Sequence, residues 1–278
     1  MPTSSVAVAR DLAEIRRSAE QARHLDAIVD REQVQRYLNP PAKTPYGLEY
    51  AFYLLGDIRG LRVLDLGCGI GESLMPLAER GANVTGIDIS PDLIRLARQR
   101  MDSVGAKVML TVGSAYETGL ADESFDIIFC KAVIHHLEIQ RVRAEMLRIL
   151  RKGGCIVLTE PVRFSGTYAR VRKAFRPHAN ISEYEHPLTR QEFDCMTAGL
   201  GVEGLRFFRL PFVPLVERWT RQTSHSARTI SAWIIDALPP SRHFATSAVM
   251  RLRKRQIAEE PADRLLTRTI RQPSLLRD

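Results

Sequence analysis

The spacing of apolar positions changes twice along this chain. Over residues 6–38 charged and apolar residues alternate at helical spacing, and Val8, Leu12, Ile15, Ala19, Ala22, Leu25 and Val29 fall on one stripe. This predicts one amphipathic helix or two. Asn39-Pro40-Pro41 ends the pattern, and 48–55 reads as a further helix after Pro45. From residue 61 short apolar runs alternate with helical segments. Strands are predicted at 61–66, 83–87, 107–112, 125–130 and 155–159, and helices at 73–80, 92–101 and 139–150. Ser90 is placed to cap the second of these helices with Pro91 at its first position, and Gly153-Gly154 lies beyond the end of the third. Apolar strands alternating with helices build an α/β fold, a mostly parallel sheet covered on both faces. After Pro161 the alternation stops. Residues 163–188 are basic, aromatic and irregular, 189–200 reads as a helix and 202–210 as a strand. Residues 212–256 read as helical with breaks at Pro214 and Pro239-Pro240, and 257–278 as a loose tail.

Composition narrows the function classes. The chain has 278 residues, 45% hydrophobic and 26% charged, which excludes a disordered, collagen-like or coiled-coil protein. No apolar run approaches the roughly 20 residues needed to span a bilayer. Arg10, Asp11, Glu14, Arg16 and Arg17 interrupt the N-terminal stretch where a signal core would lie, so a cytoplasmic protein is expected. Cys68, Cys130, Cys155 and Cys195 show no CxxC spacing and read as reduced thiols, with no metal site. The net charge of +8 is unevenly spread: residues 1–160 carry 20 Lys+Arg against 21 Asp+Glu, and residues 161–278 carry 20 against 11. A basic C-terminal half suits nucleic acid, acidic lipid headgroups, an anionic substrate or plain solvation.

Candidate chemistry starts at Val63-Leu64-Asp65-Leu66-Gly67-Cys68-Gly69-Ile70-Gly71-Glu72. An apolar strand runs into a glycine-rich turn and then a helix. Glycines let the backbone turn sharply and let a ligand approach closely. The dinucleotide fingerprint fails because Glu72 stands where its third glycine belongs, and no Gly-Lys-Ser/Thr follows to make a phosphate loop. Asp88 ends the next strand, 21 residues after Gly67, where a carboxylate can accept from ribose hydroxyls.

The GxGxG turn with Asp two residues before it resembles motif I of the class I S-adenosyl-L-methionine-dependent methyltransferases. Four later segments fall where that family places its motifs: Thr85-Gly86-Ile87-Asp88, Gly113-Ser114-Ala115, Phe125 to Cys130 with Val133-Ile134-His135-His136-Leu137, and Leu150-Arg151-Lys152-Gly153-Gly154 leading to Glu160-Pro161. The chain is most similar to the small-molecule enzymes related to quinone biosynthesis. The resemblance implies a Rossmann-like core at 57–161, an N-terminal helical lid at 1–56, a substrate-recognition and fold-completing stretch at 162–256, and a tail at 257–278. It implies strand order 3-2-1-4-5-7-6, although no seventh strand is evident in the sequence. It further implies that Gly67, Gly69 and Gly71 wrap the methionine part of the cofactor, that Asp65 holds its amino group, that Asp88 binds the ribose and that Ile89 lies on the adenine face. Ser114 and Ala115 would border the adenine edge, with Ser114 standing where the family often has Asp. Lys131 would sit near the methionine part, and a substrate contact there is a further reading.

The acceptor side is less defined. His136 lies where methyl donor and acceptor meet in the family and reads either as a proton acceptor or as a residue packing the adjoining loop; His135 reads as structural. Glu185 and His186 form a candidate acid/base or orienting pair, or a salt-linked loop before Thr189. Tyr46 is a candidate substrate contact, one of many lid aromatics that also include Tyr37, Tyr50, Phe52, Phe164 and Phe207 and predict an apolar pocket. The stretch 212–238, with Trp219 and Trp233, reads as an interfacial helix pair in peripheral membrane contact, a packed lid, or a homodimer face. An apolar or aromatic small-molecule acceptor, lipid-like and methylated on oxygen or carbon, is the expected substrate. The alternatives are an RNA or protein methyltransferase docking through the basic half and a non-catalytic cofactor-binding protein. No RNA-binding module is recognisable and no specific nucleic acid is expected. Asn39-Pro40-Pro41 does not follow the fourth strand, which argues against a DNA-amine enzyme.

Overall fold

The computed structural model describes residues 5–23, 28–165 and 186–255. Seven strands form one sheet of order β3-β2-β1-β4-β5-β7-β6. They are β1 (Arg62–Leu66), β2 (Asn83–Asp88), β3 (Met109–Val112), β4 (Phe125–Lys131), β5 (Leu150–Pro161), β6 (Gly201–Phe208) and β7 (Ser247–Arg253). The first five are parallel, and β7 runs antiparallel between β5 and β6. The helices are α1 (Ser5–Ala22), α2 (Arg31–Leu38), α3 (Gly47–Leu55), α4 (Leu74–Glu79), α5 (Pro91–Ser103), α6 (Ile139–Ile149), α7 (Arg190–Thr197), α8 (Phe212–Thr220) and α9 (His225–Ala237).

The central strands are apolar at nearly every position because both faces are covered. Alternate residues serve two separate cores. Val63, Ile127, Phe129, Val157 and Val249 pack with Phe52, Leu74 and Ile94 of α3, α4 and α5. Leu64, Ile128, Ile156 and Met250, pointing the other way, pack with Val142, Met146 and Phe193 of α6 and α7. This rigid double-faced sheet fixes the ends of β1 to β4, from which the candidate site is built.

Local signals hold at α5, where Ser90 Oγ accepts from the Leu93 amide at 3.3 Å and Pro91 opens the helix. Three expectations need correction. The region 212–256 is not all helix: its last part is β7, buried between two strands although Ala248, Met250 and Leu252 favour helices. The slot between β5 and β6 overrides that preference. Gly153-Gly154 does lie beyond the end of α6, but inside β5 rather than before it, and position 154 is held to glycine because a Cβ there would come 2.9 Å from the Asp126 carbonyl oxygen. The N-terminal stripe is not uniformly covered, since Leu12 is exposed. The stretch 166–185 and the tail from 256 lie outside the described residues.

Candidate active site

A cavity of about 320 Å³ sits at the carboxyl edge of the parallel strands. Asp65 to Ile70 at the end of β1, Ile87 to Ile89 at the end of β2, Gly113 to Ala115 after β3, and Lys131 to Val133 with His136 after β4 all line it. Parallel strands deliver their ends to one edge, so residues far apart in sequence meet here. Helix α1 adds Asp11, Glu14, Arg17 and Ser18 to the wall.

The glycine turn is shaped by two kinds of constraint. Gly67 has φ +72°, and a Cβ there would lie 2.3 Å from Val133 Cγ2, so the turn passes close against the loop after β4. Gly71 has φ +81°, and a Cβ there would meet Leu74 and Ala97; it closes the turn without being among the residues that line the cavity. The Gly69 amide donates to Asp88 Oδ2 at 2.9 Å, and the Ser90 amide donates to Oδ1 at 2.9 Å. These bonds fix the Asp88 carboxylate at the cavity edge.

Two buried carboxyls carry the site's electrostatics. Burial pushes the Asp65 carboxyl up to about 7; Lys131 opposes that shift, and the charges of Asp88 and Glu72 add to it. Its Oδ2 is buried with no hydrogen-bond partner among the described residues. Burial also raises Asp88, against the lowering effect of the Ser90 and Gly69 amides. Glu72 and Lys131 form an ion pair beside them. Burial works against the charged form of Glu72, but Lys131 and Arg100 keep its carboxyl below the usual range. Lys131 therefore lines the cavity as the partner of Glu72. Burial raises the Cys68 thiol well above its usual value, with the negative charges of Asp65 and Asp88 adding to the effect. Cys68 thus lines the cavity as a neutral thiol.

His136 and His135 follow one another but take different places. His135 is buried, with Nδ1 2.8 Å from Glu160 Oε2. Glu160 Oε1 also accepts from the amides of Val133 and Ile134 at 2.9 and 3.0 Å. The last turn of β5 thus locks the loop after β4. His136 caps this loop toward the cavity, with Nδ1 3.8 Å from Glu14 Oε2 of α1. Ser114 Oγ donates to Asp11 Oδ2 at 3.2 Å and accepts from the Tyr116 amide at 3.3 Å.

Asp65, Gly67, Gly69, Asp88, Ile89, Ser114, Ala115, Lys131 and His136 are therefore brought together. Tyr46 is not among them. Its hydroxyl lies 3.1 Å from His225 Nδ1 in a second cleft, also lined by Arg36, Lys43 and Glu49. His186 donates its amide to the His135 carbonyl at 3.4 Å, and its ring Nε2 lies 3.6 Å from Glu192, so it reads as a salt-linked loop. Glu185 lies outside the described residues. Among the described residues, none of the lid aromatics lines this cavity. Tyr37 stacks on Phe52 in the core at 4.8 Å, while Phe164 meets Phe193 and Phe207 elsewhere. Sequence reasoning missed Asp11, Glu14, Arg17 and Ser18. Their only local signal is a cluster of polar residues on one helix, which looks like a solvated face.

The residues present fit S-adenosylmethionine. The cavity offers an unpartnered buried carboxyl oxygen for an amino group, a fixed strand-end carboxylate for a ribose, and apolar Ile89 and Ala115 for a flat base.

Comparisons with known proteins agree. A family model described as "Methyltransferase domain" matches residues 64–158. Among relatives, the ubiquinone biosynthesis O-methyltransferase of Azorhizobium caulinodans is 29% identical over 177 residues, covering 59% of this chain and 68% of the relative. The phosphatidylethanolamine N-methyltransferase of Cereibacter sphaeroides is 36% identical over 128 residues, covering 45% of this chain and 63% of the relative. In fold, a geranyl diphosphate methyltransferase solved with GPP and sinefungin superposes with a TM-score of 0.55 at 18% identity, covering 73% of this chain and 76% of that one.

Proposed function

We propose that this chain, which belongs to the class I S-adenosylmethionine-dependent methyltransferases related to the quinone-biosynthesis enzymes, methylates an oxygen or carbon of an apolar or aromatic, lipid-like small molecule. The observation that carries this reading is the convergence of Gly67, Asp65, Asp88 and His136 on one cavity. The names of the relatives support the acceptor class: one acts in ubiquinone biosynthesis and one on phosphatidylethanolamine. Neither name points to RNA or protein as acceptor.

When bound, the cofactor supplies a methyl group already activated by a sulfonium charge. Asp88 would hold the ribose hydroxyls, Asp65 the amino group, and Ile89, Ser114 and Ala115 the adenine. The chain's main task is then to align the acceptor and keep water out, a proximity effect worth roughly 7–11 kcal/mol. Where the acceptor must lose a proton, His136 accepts it. The Glu14 carboxylate, 3.8 Å from Nδ1, favours the charged imidazole that results. His135, held by Glu160, keeps the loop and hence His136 in place.

Calorimetric titration with S-adenosylmethionine and S-adenosylhomocysteine tests the cofactor half. Wild type should bind both, and Asp88→Ala should weaken binding by about tenfold or more, since bonds to a charged acceptor are worth roughly 1.5–3 kcal/mol each. Turnover assays on phenolic, quinol and phospholipid acceptors test the other half. There His136→Ala should lower kcat by roughly 10²-fold or more at unchanged cofactor affinity. No cofactor binding by folded wild type would sink the proposal.

A further inference from the structure

Both tryptophans of the chain lie in the helical excursion between β6 and β7, and both face solvent: Trp219 is 88% exposed and Trp233 69%. Helices α8 and α9 each show two apolar faces. One is packed inward, through Val213 on α8 and through Ala227, Ala232 and Ile235 on α9. The other points outward. Leu215, 65% exposed, and Trp219 are spaced i,i+4 on α8, while Ile230 and Trp233 are spaced i,i+3 on α9, so each pair shares a side of its helix. Leu238 and Phe244, just beyond α9, are exposed as well. Six large apolar side chains left exposed within one excursion make it the strongest candidate interaction surface among the described residues.

Its charges indicate the partner. The acids of the excursion are already matched: Glu217 pairs with Arg209 at 3.2 Å and with Arg228 at 2.6 Å, and Asp236 pairs with Arg206 at 2.7 Å. Arg218, Arg221 and Arg242 are exposed and form no ion pair among the described residues. Tryptophan and arginine around an outward apolar stripe match the interface of an anionic bilayer, where indole rings settle at headgroup depth and basic side chains meet lipid phosphates. No described helix is long and apolar enough to cross a membrane, so the contact is peripheral.

The topology gives the contact a direction. Ser247, where β7 begins, pairs with both Phe208 at the end of β6 and Pro161 at the end of β5. The excursion therefore leaves the sheet at the carboxyl edge, where β1, β2 and β4 deliver the cavity residues. We propose that α8 and α9 seat this protein on an anionic lipid surface, with the cavity-bearing edge of the sheet turned toward it. The inference rests on the packing and charge of this excursion and not on the acceptor assigned above.

Because both tryptophans sit here, their emission reports on this face alone. The full chain is titrated with vesicles of phosphatidylcholine alone and of phosphatidylcholine with phosphatidylglycerol, reading emission and co-sedimentation. Anionic vesicles should shift the emission to the blue and carry the protein down, and added salt should reverse both. Arg218→Glu with Arg221→Glu should cut the affinity about tenfold or more while leaving both tryptophans in place. Trp219→Ser with Trp233→Ser should lower co-sedimentation by a similar factor. These are exposed positions, so circular dichroism should show wild-type folding, and cofactor affinity should be unchanged in both variants. Unshifted emission with anionic vesicles would overturn the proposal. So would undiminished co-sedimentation of the tryptophan variant. A dimer in sedimentation analysis that buries the tryptophans and ignores vesicles would overturn it in favour of a second copy on this face.

Discussion

With Asp65 holding the cofactor's amino group as proposed above, cofactor binding should release a proton. The Asp65 carboxyl is fully buried and pushed up to about 7, chiefly by desolvation. Lys131 favours the charge, while Asp88 and Glu72 oppose it. At pH 6 such a group is about nine-tenths protonated, and at pH 7 about half. A cationic amino group beside Oδ2 selects the carboxylate, so binding should expel about 0.9 proton at pH 6 and about 0.5 at pH 7. The same linkage should weaken binding about tenfold between pH 8 and pH 6. Calorimetry in two buffers of different ionisation enthalpy reads the proton count directly. Asp65→Asn supplies the baseline from the ligand's own groups, and only the difference between the two proteins belongs to Asp65. A wild-type proton count equal to that of Asp65→Asn at pH 6 would refute this reasoning.

The shift has a stability counterpart whose sign is opposite to that of an ordinary salt-bridged acid. The folded value of about 7 lies above the model-peptide value of 3.8, so the native state binds more protons than the unfolded chain between those limits. Stability contributed by Asp65 is therefore full below pH 4 and is lost as pH rises through 7. The difference of about 3 units corresponds to a loss on the order of 4 kcal/mol. Without ligand, Asp65→Asn should resist urea better than wild type at pH 8, with the gap closing toward pH 4.

Two further predictions concern the loops that shape the cavity. Gly67→Ala places a methyl 2.3 Å from Val133 Cγ2 at a φ of +72°, and should cost about 2–3 kcal/mol in urea unfolding. Val133→Ala on the same background should recover part of that loss, and no recovery would show that backbone strain alone is responsible. Glu160→Gln keeps the size but weakens the acceptor for two amides and the His135 ring; a loss of about 1–3 kcal/mol is expected. The loop should loosen with it, so kcat should fall at unchanged cofactor affinity, and unaltered kcat would free His136 from dependence on this lock.

How much of this was legible in the sequence follows from where each residue gets its position. Asp65, Gly67, Asp88 and Ser114 sit at strand ends, and a strand end is a local event: an apolar run followed by a turn residue. Parallel pairing then brings every such end to one edge without further instruction. Strand β7 was illegible because Ala248, Met250 and Leu252 favour a helix, and only the slot between β5 and β6 makes them extended. The wall formed by α1 was illegible for a different reason. Ala22 of its apolar stripe packs with Leu93, Leu96 and Ile70, but Leu12 is exposed, and the helix reaches Ser114 and His136 through polar side chains, Asp11 and Glu14. Such contacts leave no periodic trace. They also use the same atoms that a bound cofactor or acceptor would engage. Ser114 Oγ spends its one proton on Asp11 and one lone pair on the Tyr116 amide, which leaves its second lone pair to accept from the exocyclic amine of an adenine, so a bound base and the attachment of α1 can share this hydroxyl.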